Sequence, residues 1–295
     1  MRHVAILIAV TVLLSWTRHS MAEDVVVSVP ESVSLGEIFL GRVSWAEPVK
    51  DVRIEWLGKF LALPVDASEE EKVTEFLLGT DVLRTRAGEQ SLNVRCRFSK
   101  KIVNLTRQIS VRSKDYPVQR LTLPKKMVSP PKETWDRIKK ERAAVGKALR
   151  TVTKGRIWTL PFLRPVEGGV SSVYGVRRFL NNEPRSPHRG VDFRAPMGTP
   201  IKATNSGRVV LVGDHYYAGK SVYIDHGLGV ISMYFHLSKI KVLTGQQVNK
   251  GDVIGLSGKS GRATGPHLHF SLALMAQLAD PMPLFENEFP AAAGN

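Results

Sequence analysis

Four histidines and one aspartate in the last third of the chain are residue types that can hold a metal ion and move protons. His188 and Asp192 lie in HRGVDF, His236 in YFHLS, and His267 and His269 in GPHLHF. Imidazole and carboxylate donors suit zinc, and three protein ligands with one open position form its catalytic arrangement. A structural zinc site closes itself with four ligands. Five candidates are two more than a three-ligand site needs, and the surplus can serve as proton carriers. The pattern predicts chemistry.

The elements that must position these groups are strands and turns. In His267-Leu268-His269, residues two apart on a strand project from one face, so both imidazoles point one way and Leu268 the other. Phe270 and Leu272 extend the alternation. His188 and Asp192 are four apart, but Pro187, Gly190 and Pro196 argue against a helix. Fully extended they would lie about 13 Å apart. A bend at Arg189-Gly190 would bring them close enough to chelate one ion. His236 ends the apolar run Ile231 to Phe235 on an expected strand, where a histidine is commonly a hydrogen-bonded core residue. His215 and His226 are single, with no second ligand nearby, and His226 has the setting of a turn residue at a strand end.

Together HRGVDF, GTPIKATNSGRV, YFHLS and SGRATGPHLHF resemble the lysostaphin-type (LytM-like) zinc endopeptidases of peptidoglycan. The resemblance runs over roughly residues 168–283, with four separate pieces in the family's order. It implies that His188, Asp192 and His269 hold one Zn2+ per chain, and that His236 and His267 act on the water and the oxyanion. Some members carry a tyrosine six residues before the first ligand. Here that position is Asn182, and sequence does not assign its role to Tyr174.

The mechanism expected from this resemblance needs no serine or cysteine nucleophile. Zinc lowers the pKa of its bound water from 15.7 toward about 7 and polarises the scissile carbonyl. One neutral histidine takes the water proton and delivers it to the leaving amine, and the other stabilises the oxyanion as a donor. Which of His236 and His267 does which stays open. The expected activity is hydrolysis of peptide cross-links or stem peptides of peptidoglycan, which is also the expected partner. The alternative is a non-catalytic LytM-like module that binds and activates cell-wall amidases. Modules of that kind lose ligand positions, and all five positions are present here.

The remaining chain reads as all-β in two domains. Residues 1–22 have a signal-peptide pattern: Arg2, an apolar run from Val4 to Trp16, and Ser20-Met21-Ala22 at the cleavage site. Residues 23–115 alternate as strands, with Leu92, Val94, Cys96 and Phe98 on one apolar face, and predict an Ig-like β-sandwich. Cys96, the only cysteine, is expected as a buried structural thiol. The Glu69-Glu70-Glu71 run is expected in a solvated turn. Residues 116–155 form a Pro-rich linker with a helix after Pro131, whose apolar stripe of Trp135, Ile138, Val145 and Leu149 is expected to pack on a neighbouring domain. Residues 156–295 are the expected antiparallel β-sheet peptidase domain.

Charge follows this division. The net +15 concentrates in residues 116–155, with 11 basic against 3 acidic side chains, and in residues 156–295, with 15 against 9. With an export signal, such charge points to anionic wall polymers or lipid headgroups rather than nucleic acid. The 116–155 segment is the candidate for membrane or wall-surface contact. The expected location is the periplasm, and nothing in the sequence fixes the oligomeric state.

Overall fold

Alternation of apolar and polar side chains builds both halves of the chain. The structure, a computed structural model, describes residues 25–65, 72–122 and 130–292. The expected leader and the Glu69-Glu70-Glu71 run lie outside the described residues. Leu92, Val94 and Cys96 of strand Gly88–Arg97 are buried, while the residues between them are exposed. That strand sits in a five-stranded sheet with Ser32–Ser34, Ile102–Arg112, Asp51–Trp56 and Lys59–Leu63. A three-stranded sheet of Val25–Ser28, Ile38–Trp45 and Val73–Gly79 lies against it. Between them is one apolar cluster that includes Phe39, Trp45, Ile54, Trp56, Phe76 and Cys96. Burial and the nearby Asp51 charge push the Cys96 thiol up to about 11, so it stays protonated and inert.

The C-terminal half is organised by an eight-stranded antiparallel sheet. Its order is Val170–Ser172, Val191–Arg194, His267–Leu274, Val230–Leu237, Gly219–Asp225, Gly207–His215 and Gln247–Val248, with Gln277–Ala279 beside His267–Leu274. All four strand runs expected here, around 208–213, 221–224, 229–234 and 252–255, form strands. Leu268, Phe270 and Leu272 are fully buried, and burial of each such side chain stabilises the sheet by about 1.5–3 kcal/mol. Opposite faces of one strand thus carry core and chemistry.

Two features join the halves more closely than a simple linker. Ile38 and Leu77 of the N-terminal half share one apolar cluster with Trp158, Phe162, Val230, Leu272, Leu274, Ala279 and Leu284. Strand Val118–Leu121, within the expected Pro-rich linker, pairs in parallel with Arg177–Leu180. The helix Trp135–Leu149 follows a single 3-10 turn, Lys132–Thr134. Val145 and Leu149 pack as expected, on Tyr223, Ile231, Met233 and Ala273. Trp135 does not join that stripe and is 55% exposed. It is the first residue of the helix, and its indole N–H donates back to Pro130 O at 3.3 Å. Among the described residues no helix is long and apolar enough to cross a membrane.

Candidate metal centre

Strand register brings two of the candidate ligands face to face. Asp192 pairs with His269 and Arg194 with His267, and Phe235 pairs with His269 from the other side. Directly opposed side chains on one sheet face have Cβ atoms about 4.5–5.5 Å apart. The Asp192 carboxylate therefore meets the His269 ring without loop rearrangement. His188 precedes the strand. Its backbone N–H donates to Val176 O at 2.9 Å, and its carbonyl accepts from Gly175 N–H at 2.7 Å.

The expected bend at Arg189-Gly190 is present, and the reason for glycine is space. A Cβ on Gly190 would lie 2.4 Å from Phe270 O and Ser271 Oγ and 2.7 Å from His269 Nε2. Close approach of this backbone to the His267–Leu274 strand closes the site. His188 Nε2 lies 3.0 Å from Asp192 Oδ1 and 2.9 Å from His269 Nδ1, and the latter lies 2.7 Å from the same oxygen.

Those three atoms are all acceptors. His188 Nδ1 must donate to Val173 O, 2.9 Å away, because a carbonyl cannot donate; this leaves a lone pair on Nε2. Ser271 Oγ spends its proton on Arg189 O, at 2.9 Å, and so accepts from His269 Nε2–H at 2.8 Å. His269 Nδ1 therefore also presents a lone pair. Two imidazole lone pairs and a carboxylate oxygen converge on one point, which is repulsive unless a cation sits between them. The donor set fits one Zn2+: donors around a tetrahedral zinc at roughly 2.0–2.1 Å are spaced about 3.3 Å apart, slightly wider than found here.

Electrostatics favour the ligating forms. Burial pulls His269 down to about 4 against the upward pull of Asp192, so the ring is neutral at pH 7. For Asp192, burial pushes the pKa up, but contacts with His188 and His269 overcome it and hold the carboxyl well below the usual range. Arg178 Nη2 donates to the other carboxylate oxygen, Asp192 Oδ2, at 3.0 Å, and Arg178 Nε donates to Gln119 Oε1 at 3.2 Å. Phe235 stacks on His269 at 5.2 Å with a 9° interplanar angle.

The two remaining histidines stand beside this triangle. His267 Nε2 is 3.8 Å from Asp192 Oδ1, and the His236 and His267 ring centroids are 4.8 Å apart. His267 Nδ1 donates to Gly265 O at 2.9 Å and His236 Nδ1 to Ser260 O at 2.8 Å. Each neutral ring thus presents Nε2 as a proton acceptor. His236 sits at a strand irregularity with φ +61°, its N–H bonded to Ala218 O at 2.8 Å. Burial, and then competition with the neighbouring His269 and His267 rings for a proton, push its pKa down to about 3.

All five candidate residues gather at one site, and the residues left out lie elsewhere. His226 is buried, with Nδ1 donating to Ser206 O at 2.7 Å, and His215 Nδ1 lies 2.7 Å from Ser221 Oγ. Asn182 is exposed in the turn after Arg177–Leu180, with φ +65°, and brings no aromatic hydroxyl. The Tyr174 hydroxyl faces away, donating to Leu278 O at 2.6 Å and accepting from Val82 N–H at 3.1 Å. Sequence reasoning missed Arg178 and Ser271. Ser271 had a signal, since 267, 269 and 271 share one strand face; Arg178 had none, because its contact depends on long-range pairing.

Comparison with known proteins agrees with this geometry. Residues 186–281 match the model of Peptidase family M23. A crystal structure from Pseudomonas aeruginosa assigned to peptidase M23 is 34% identical, with a TM-score of 0.63, covering 83% of this chain and 92% of that one. The peptidoglycan DD-endopeptidase ShyA of Vibrio cholerae is 45% identical over 114 residues, 38% of this chain and 26% of its own length. ShyB of the same organism is 44% identical over 141 residues, 48% of this chain and 29% of its own. The chain thus spans less than a third of the length of these two curated relatives.

Proposed function

The chain belongs to peptidase family M23, and on that premise we propose that it is a zinc endopeptidase that hydrolyses peptide cross-links of peptidoglycan. The observation that carries this reading is the convergence of three lone-pair donors with two further histidine Nε2 atoms beside them. When bound, zinc supplies a Lewis acid that polarises a peptide carbonyl and acidifies water. His188, Asp192 and His269 would hold it. Arg178 occupies one carboxylate oxygen of Asp192, which leaves the other as the donor available to a metal. His236 and His267 each accept a proton at Nε2, and the protonated ring then donates from that same atom, to the oxyanion or the leaving amine. The Nδ1 bonds to carbonyls fix both tautomers.

The relatives named DD-endopeptidases favour a D,D-bond such as D-alanine to diaminopimelate. Export to the periplasm is proposed from the leader pattern of residues 1–22. The division into an Ig-like accessory unit at 23–115, a basic linker at 116–155 and a peptidase unit at 156–295 belongs to the same proposal, as does wall- or membrane-surface contact through the linker. Mass spectrometry of muropeptides released from defined sacculi tests it. New chain ends at a cross-link are expected. Intact cross-links after incubation with the zinc-loaded chain would reject the activity.

A further inference from the structure

Beside His236 and His267, two segments are zipped together by main-chain bonds. One is the turn between Gly207–His215 and Gly219–Asp225, which carries Tyr216 and Tyr217. The other is the loop from Ser257 to Pro266, which carries Arg262. Arg262 N–H donates to Tyr217 O at 2.9 Å, and Lys220 N–H donates to Ser260 Oγ at 2.8 Å. Both segments also hold His236, through Ala218 O at 2.8 Å and Ser260 O at 2.8 Å. The helix Trp135–Leu149 braces the turn from behind: Glu141 accepts from Tyr216 N–H at 2.8 Å, and Arg137 donates to Asp214 O at 2.7 Å. This wall is preorganised next to the reacting groups.

The wall carries an unusual cation. The Arg262 guanidinium lies 4.5 Å from the Tyr217 ring centroid. Among the described residues no carboxylate pairs with it, and its side-chain contact is with that ring. Two more guanidiniums, Arg178 and Arg185, are close enough for their charges to oppose that of Arg262. Arg178 is paired with Asp192 and Arg185 with Glu183. Each of those two is neutralised by its own carboxylate, so the Arg262 guanidinium is the uncompensated charge of this wall and favours arrival of an anion. A guanidinium fixed on an aromatic ring suits a carboxylate, which it can bind through two parallel bonds.

We propose that Arg262, held on Tyr217, is a carboxylate-binding subsite for the peptide being cut. This rests on the endopeptidase reading and names a chemical feature of its substrate: an acidic group within reach of the His236–His267 edge. Hydrogen bonds to a charged partner contribute about 1.5–3 kcal/mol, a factor of roughly 10–100 in affinity.

The test uses cross-linked peptide dimers in which each carboxylate in turn is replaced by a carboxamide. For wild type, one amidated dimer is expected to show a KM raised about 10–100-fold. Arg262→Gln should raise KM by a similar factor for every dimer that keeps that carboxylate, with kcat within a few-fold, and change nothing for the amidated one. Arg262→Lys should recover part of the loss. Equal losses on all dimers, or none, overturn the proposal. Calorimetric binding of the same dimers to the zinc-loaded His267→Ala chain reads the subsite without turnover. A carboxylate-dependent contrast there, with no cleavage by wild type, rejects the endopeptidase reading and keeps the subsite; no contrast rejects the subsite.

Discussion

Replacing Gly190 by alanine tests how the site is closed. The added Cβ would lie 2.4 Å from Phe270 O and Ser271 Oγ and 2.7 Å from His269 Nε2. Relief to 3.0 Å, still a tight contact, requires a displacement of 0.6 Å (3.0 less 2.4). Phe270 O is backbone in a central strand, so the Val191–Arg194 strand must move rather than a flexible side chain. Overpacking of this kind costs about 1–3 kcal/mol, which lowers the melting temperature by roughly 2–12 °C in a domain of this size. The shift also exceeds the tolerance of about 0.2 Å on metal–ligand distances. Zinc affinity should therefore fall by about 10-fold or more, in line with other disturbances of the groups that support ligands. Thermal unfolding with and without zinc, and competition against a chromophoric chelator, measure the two effects. A Gly190→Ala chain that keeps both the wild-type melting temperature and zinc affinity would refute the close-approach argument.

Three further outcomes follow from the same geometry. Arg178→Gln frees Asp192 Oδ2 and should weaken zinc binding by about 10–100-fold, measured by the same competition, with Arg178→Lys intermediate and the metal-free melting temperature little changed. Ser271→Ala removes the acceptor that fixes the His269 tautomer; zinc affinity should fall about 10-fold, and nitrogen NMR of His269 should show mixed tautomers in the metal-free chain. His226 is depressed from 6.5 to about 4 by burial, with Ser206 opposing. The unfolded chain takes up that proton first, so the contribution is complete above pH 6.5 and is lost as pH falls toward 4. Its size is about 3 kcal/mol, and comparison of wild type with His226→Gln by chemical denaturation across that range should show the slope disappear.

Much of the site was legible because its signals are local. The HxH alternation put His267 and His269 on one face and Leu268 in the core, and glycine with proline around His188 excluded a helix in favour of a bend. Strand positions in the C-terminal half followed from apolar runs bounded by glycine. What escaped depends on pairing between distant segments. Val118–Leu121 fell within the expected Pro-rich linker, and it is a strand because Arg177–Leu180 offers it an edge. Trp135 fitted the helical period of the apolar stripe, yet as the first helical residue it stays exposed while Val145 and Leu149, toward the other end, pack on the sheet. Arg178 and Arg262 gained meaning only when Asp192 and Tyr217 arrived beside them.

The central claim is a division of labour: three residues hold zinc and two histidines move protons. Muropeptide release by zinc-loaded His236→Ala and His267→Ala chains, with zinc content determined on the same samples, tests it most directly. Each variant is expected to retain one zinc per chain while release falls by about 10²–10⁴-fold. Loss of zinc from either variant, or release at the wild-type rate, would contradict the account.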